Sequence, residues 1–167
     1  QSNGAKVAII DKGPLGGLCI LRGCMPTKTI LRSSDILALI RRAKEFGLSA
    51  QNPSANLALI NDRKNRLITE FANYRIEQLN DPRFTLIKEK ASFLSPHKLK
   101  VGQQTIQAKS FIIATGSKIE DFSIPGLAEY GFLTSDEILE IRQTPESMTV
   151  LGAGPVAVEL AQFFCRI

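Results

Sequence analysis

The stretch Gly16-Gly17-Leu18-Cys19-Ile20-Leu21-Arg22-Gly23-Cys24-Met25-Pro26-Thr27-Lys28 sets two cysteines five positions apart across a glycine. Five steps of a regular helix turn about 500°, which leaves the two side chains diverging by about 140°. A disulfide needs Cα atoms roughly 4.4–6.8 Å apart. Bonding Cys19 to Cys24 therefore requires a distorted turn, which Gly23 permits. A disulfide held in such a turn is easier to reduce than a structural one. Pro26 suits a first helical turn, so Cys24 lies just before or within the start of a helix, where unpaired amides favour a thiolate. Arg22 and Lys28 add positive charge nearby. Spacing alone leaves three readings open: a redox pair, two buried structural thiols, or half of a metal site. Zinc sites use shorter cysteine spacing and two more ligands. Cys165 is a poor third ligand and His97 has no neighbouring partner, so no metal site is expected. A small thiol oxidoreductase of the thioredoxin kind would carry a two-residue gap instead.

Working toward the N-terminus, Lys6 to Ile10 is a short, mostly apolar run that predicts a buried, parallel strand, with Asp11 at its end. Lys12 to Gly17 is a glycine-rich loop. In the other direction, a helix is predicted from Pro26, with an apolar stripe of Ile30, Leu31, Leu37 and Ile40 and a stop at Gly47. A second long helix is expected over 55–79. Leu57, Ile60, Ile68, Phe71 and Leu79 share much of one face there, and Arg63, Lys64 and Glu70 are largely solvated. Asp81-Pro82 ends it. The period then changes. Residues 84–87, 91–94, 98–101 and 105–108 predict an antiparallel meander, with turns at Ser95-Pro96-His97 and Gly102-Gln103. Phe111 to Ala114 predicts another buried strand. Ser123 to Gly131 is loop-like, Ser135 to Ile141 a short helix, and Met148 to Leu151 a last strand before a glycine turn and a helix.

Composition agrees with a packed domain. The 167 residues are 44% hydrophobic and carry 21 basic against 16 acidic side chains, a net charge of +5. The positive residues are scattered and no aromatic residues interleave with them, so no nucleic-acid partner is expected. No apolar run approaches the ~18 residues of a membrane helix. The opening Gln1 to Gly4 is polar and carries no leader pattern. Three cysteines are too few for a secreted disulfide scaffold and suit an intracellular protein with one special pair and one bystander.

The segment from Gly16 to Lys28 resembles the active-site stretch of class I pyridine nucleotide–disulfide oxidoreductases, the family of dihydrolipoamide dehydrogenase, glutathione reductase and mercuric reductase. The pattern is two glycines, any residue, Cys, four residues, Cys, any residue, Pro, Ser or Thr, and Lys. The rest of the chain resembles the family in order. The resemblance implies an α/β fold: a partial FAD-binding Rossmann-like domain over 1–146, with parallel sheet, helices and β-meander, and the first strand, turn and helix of an NAD(P)-binding Rossmann domain over 147–167. It implies that Cys19 attacks the substrate disulfide, that Cys24 lies against the flavin, and that Lys28 sits near the flavin N5. Leu18 and Arg22, where many relatives have Thr and Val, are departures.

Asp11, at a strand end before the glycine loop of Gly16 and Gly17, is placed to accept hydrogen bonds from ribose hydroxyls; in the family this position holds FAD. Lys90 to Phe93, which contains Ala91, resembles a family segment whose backbone touches the adenine, although Glu89 stands where relatives often have Gly. Ala114-Thr115-Gly116 resembles the second flavin motif. Val150-Leu151-Gly152-Ala153-Gly154-Pro155-Val156-Ala157 has the form of a dinucleotide fingerprint, ending on Ala157: Gly152 and Gly154 make the turn and admit a pyrophosphate, and the helix start binds its charge. This favours NAD(P)H. Glu159 resembles the family glutamate that pairs with the active-site lysine, here Lys28. His97, in a turn, is an ordinary surface histidine.

The resemblance further implies an internal piece of a cytoplasmic, homodimeric enzyme acting on small-molecule or protein disulfides and dithiols, or on mercuric ion. An upstream strand with its own glycine fingerprint and a downstream domain with a His–Glu pair are expected in the parent. The rival expectation is a non-catalytic, nucleotide-binding module.

Overall fold

A computed structural model of the chain describes residues 4–120 and 123–167. It contains two compact units, Gln1–Leu18 with Glu70–Ser117, and Cys19–Thr69 with Lys118–Ile167.

In the first unit, β1 (Ala8–Ile10) pairs in parallel with β2 (Thr85–Ile87), Ile9 opposite Leu86. The pairing continues at both ends, where Thr85 N–H donates to the Val7 carbonyl and Asp11 N–H to the Ile87 carbonyl. The meander keeps three of its four expected strands: β3 (Ala91–Ser95), β4 (Lys98–Val101) and β5 (Gln104–Gln107) make an antiparallel sheet in that order, whereas 84–87 was expected to join them and instead supplies β2 to the parallel pair with β1. β4 shows the alternation of a half-buried strand, with Leu99 and Val101 buried and Lys98 and Lys100 exposed. Gly102, at φ 57°, takes the first central position of the two-residue β4–β5 turn, where a positive φ suits glycine. Phe93 meets Phe111 edge to face, with centroids 5.3 Å apart.

Two expected strands did not form. Among the described residues neither 111–114 nor 148–151 pairs in a sheet, and Ile112 and Ile113 are 93% and 71% exposed. An apolar run marks a segment suited to burial, but a strand exists only where a neighbour accepts its backbone hydrogen bonds.

The second unit is helical. α1 (Leu18–Leu21) begins at its boundary and is followed by α2 (Cys24–Arg41) and α3 (Leu57–Leu79), whose last turns belong to the first unit. Two single-turn helices, α4 (Leu127–Tyr130) and α5 (Ser135–Ile138), precede α6 (Pro155–Arg166). α2 starts two residues earlier than Pro26 predicts. It ends at Arg41, and a 3-10 turn, Ala43–Phe46, then closes on Gly47 at φ 71°, whose N–H caps the Lys44 carbonyl. Ile30, Leu57, Ile138, Leu139, Leu160 and Phe163 form the core. α2 packs on α6. Lys28 pairs with Glu159 near both N-terminal ends, and Arg41 donates to the Arg166 carbonyl at both C-terminal ends, so the two helices run parallel.

The apolar stripe of α2 is narrower than predicted, because Ile40 is exposed; Phe71 of α3 is exposed as well. The larger correction is Lys64, expected in solvent and found 1% exposed. Its ammonium donates to the Leu139 carbonyl and, at 2.7 Å, to Glu140 Oε1. One turn away on α3, Asn61 Nδ2 donates to the Ile141 carbonyl. The carbonyls beyond α5 have no further helical turn to satisfy them, and α3 supplies the donors. Hydrophobic periodicity cannot see this: a lysine is buried only when partners at remote positions take its protons. Lys64→Met keeps the volume and leaves the Leu139 carbonyl buried without its donor. The expected cost is about 1–3 kcal/mol, measurable by urea unfolding. Asp62→Asn, which breaks an exposed pair with Arg142, is expected to leave the urea midpoint essentially unchanged.

Candidate functional site

Of the sequence-predicted nucleotide residues in the first unit, Asp11, Gly16 and Gly17 follow the end of β1. Asp11 is half-buried, and its Oδ1 accepts the Gly13 N–H at 2.8 Å. That contact orients the carboxylate, and among the described residues no donor reaches Oδ2. Gly16 and Gly17 follow at φ 133° and 82°, and a Cβ placed on Gly17 would meet nothing within 4 Å. The backbone of this loop is therefore bare and open to a ligand. Gly116, at φ 74°, lies so close to Leu18 that a Cβ there would stand 3.6 Å from the Leu18 Cβ. Ala114 and Thr115 are exposed beside it, and Ala91 is exposed on β3, opposite Val101. A fixed acceptor and a bare glycine backbone fit the ribose and pyrophosphate of a dinucleotide such as FAD.

The second unit holds the sulfur chemistry. Cys19 lies in α1 and Cys24 is the first residue of α2; both are exposed, free thiols. The helix breaks between them at Arg22-Gly23, and Gly23 has φ −113° and ψ −121°, outside both helical and extended wells. The backbone between the two cysteines is thus bent at Gly23. Lys28 stands one turn into α2 and donates to Glu159 Oε1 of α6 at 2.5 Å. That hydrogen bond holds the ammonium pKa above the ordinary lysine value; partial burial opposes it, while the charges of Glu159 and of Cys24 and Cys19 as thiolates add to it. The stabilisation from this pair is complete below the ordinary lysine pKa and fades as the pH rises through the higher folded value. At 56% and 28% side-chain exposure the pair is worth about 1 kcal/mol at most, so its consequence is placement. It brings Lys28 and Glu159 together as the sequence resemblance expects, in electrostatic reach of both cysteines.

The glycine turn of the second unit precedes α6. Gly152 has φ 121°, and a Cβ there would lie 3.9 Å from the Ala157 Cβ. Gly154 is the N-cap, and Pro155 opens the helix. A small residue at each of 152 and 157 lets turn and helix close together, leaving first-turn amides available to an anion. His97 is exposed in the β3–β4 turn, where its N–H donates to the Ser95 hydroxyl.

One pair escaped the sequence reading. Arg22, between the cysteines, donates to Asp136 Oδ2 of α5 at 3.1 Å. The Thr134-x-x-Glu137 capping box, with Glu137 Oε2 accepting the Thr134 N–H at 2.8 Å, opens α5 at Ser135, where the sequence puts the helix start; nothing local marks Arg22 as the partner of Asp136.

A family model described as pyridine nucleotide-disulphide oxidoreductase matches residues 1–167. Mercuric reductase of Staphylococcus aureus is 37% identical over 165 residues, covering 98% of this chain and 30% of that protein. Dihydrolipoyl dehydrogenase of Chlorobaculum parvum is 31% identical over 171 residues, covering 98% of this chain and 36% of that protein. The chain thus spans about a third of the curated relatives it matches. Among solved structures, the Cu(II) complex of the HOCl-induced flavoprotein disulfide reductase RclA from Escherichia coli superposes with a TM-score of 0.80 at 27% identity, over 99% of this chain and 35% of that one. Among the described residues no helix is long and apolar enough to cross a membrane.

Proposed function

Because the chain belongs to the pyridine nucleotide-disulphide oxidoreductase family, we propose that it is the dithiol-bearing part of an FAD-dependent NAD(P)H:disulfide oxidoreductase, with Cys19 and Cys24 as the redox pair. The observation that carries this reading is the pair of free thiols flanking a broken helix, beside a Lys28 held by Glu159.

The residues divide the work. Asp11 accepts ribose hydroxyls, Gly16 and Gly17 admit the pyrophosphate of FAD, and the backbones of Ala91, Ala114, Thr115 and Gly116 line the same cofactor. Gly152, Gly154 and Ala157 shape the NAD(P)H turn, and Lys28 keeps a positive charge close to both sulfurs. When bound, FAD supplies two-electron transfer between nicotinamide and dithiol. The Cys19 thiolate attacks a substrate disulfide, breaking its S–S bond and releasing one substrate thiol from a mixed disulfide. Cys24 then attacks the Cys19 sulfur, forming the Cys19–Cys24 bond and releasing the second thiol. The dithiol loses two electrons and two protons, and the substrate gains them; a dithiol substrate runs the same exchange backwards. The soft thiolate pair also suits mercuric ion as a substrate. Free cysteines suit a reducing cytoplasm, and the family resemblance adds a homodimer.

A second reading, a non-catalytic nucleotide-binding module, is favoured for the 167 residues alone by the bare Ile112 and Ile113. Purification decides between them. The full-length protein is expected to carry stoichiometric flavin and to oxidise NAD(P)H only when a disulfide or mercuric ion is present. Asp11→Ala is expected to weaken FAD binding about ten-fold or more, through loss of a charge-assisted hydrogen bond. The isolated chain is expected to bind FAD weakly and turn over little. A colourless full-length protein overturns the proposal.

A further inference from the structure

The turn between the cysteines has little to hold it. α1 is four residues long and buries none of them. Among the described side chains, two contacts reach the Arg22-Gly23 break: Thr27 Oγ1 donates to the Gly23 carbonyl at 3.0 Å, and Arg22 Nη1 donates to Asp136 Oδ2 across 114 positions of chain. The first contact is local, joining the first turn of α2 to its own N-cap. The second ties the turn to α5.

α5 itself is firmly seated. The Thr134 hydroxyl accepts the Asp136 N–H at 3.2 Å, and Ile138 and Leu139 lie in the core with Phe163. Lys64 holds the Leu139 carbonyl from below. Resting on the dithiol reading above, we propose that α5 is a bracket and Arg22 a positioning residue: through Asp136, the core holds the inter-cysteine turn in the bent shape that disulfide closure needs.

Arg22 could instead serve as a counter-charge for a thiolate or an anionic substrate. The Asp136 carboxylate argues against that, because it neutralises the guanidinium locally. A mechanical role is different in kind. Closing a ring between two cysteines costs chain entropy, and a turn already bent has lost part of it. An exposed ion pair is a weak restraint, so the expected effect on closure is modest, about two- to five-fold.

The test uses Arg22→Leu, Asp136→Asn and the double variant in the full-length protein. The protein is equilibrated with reduced and oxidised glutathione. In that exchange the glutathione S–S bond breaks, the Cys19–Cys24 bond forms, and two electrons and two protons pass to two glutathione thiols. Each single variant is expected to lower the equilibrium constant for the protein disulfide by about two- to five-fold, in the same direction, with no further fall in the double variant. The swap of Arg22→Asp with Asp136→Arg is expected to restore it. Hydrogen exchange across 19–24 is expected to rise about two- to five-fold in both single variants. Opposite shifts in the two variants would identify a charge effect and overturn the bracket, as would additive shifts or no shift in either. A wild-type protein that forms no Cys19–Cys24 disulfide overturns the dithiol reading and the redox half of this proposal with it. The exchange measurement reads the bracket separately.

Discussion

Replacing Cys24 by serine in the full-length protein is expected to abolish disulfide turnover, by about three orders of magnitude or more, while NAD(P)H still bleaches the flavin. Cys19→Ser is expected to do the same. A hydroxyl at position 19 cannot attack a disulfide sulfur at neutral pH, and one at position 24 cannot resolve the mixed disulfide. The two halves of the experiment report on different parts of the chain. Flavin bleaching depends on the nucleotide sites, whereas turnover depends on the sulfurs of the second unit. Rapid-mixing absorbance follows the first and steady-state NAD(P)H consumption the second. Turnover that survives both substitutions rejects the dithiol; bleaching that fails in both places the damage at the cofactor instead.

Phe163→Ala is expected to remove about 3–5 kcal/mol of stability, a large share of the 5–15 kcal/mol typical of a domain. Phe163 is 0% exposed, lies at the centre of the helical core, and packs edge to face on Phe164 with centroids 4.9 Å apart. Truncation leaves a cavity between α6, α2 and the α5 segment, which cannot all collapse onto it. Phe163→Leu retains most of the volume and is expected to cost about half as much or less. Urea unfolding of the two variants gives the comparison. The loss has a chemical corollary, because α6 carries Glu159, and a loosened helix releases Lys28. A Phe163→Ala cost below about 1 kcal/mol would show that this core is misassigned.

Local signals found most elements and few of the long-range contacts. The change from helical period to alternation located the meander, and β4 kept its strict in–out pattern because one face alone is buried. Gly47 and Gly102 marked a helix end and a turn by their backbone freedom. The runs at 111–114 and 148–151 were equally apolar, yet without pairing neighbours among the described residues they do not form strands. Lys64 was unreadable for the opposite reason: its partners, the Leu139 carbonyl and the Glu140 carboxylate, lie some 75 positions away. The candidate site divides in the same way. The cysteine spacing and Gly23 foretell the broken helix by geometry, whereas Lys28 with Glu159 came from family resemblance. Arg22 with Asp136 came from neither, since an exposed charge gives no local sign of its partner.

The parallel course of α2 and α6 places like poles side by side. Lys28 and Glu159 each stand four residues beyond the first residue of their helices, Cys24 and Pro155, so the two helix beginnings are level. Each contributes about half a positive charge from its unpaired amides. The mutual repulsion this creates is relieved by whatever anion settles there. A sulfur that has lost its proton at one tip, or a phosphate at the other, would each find an electropositive shelf that neither helix could build alone.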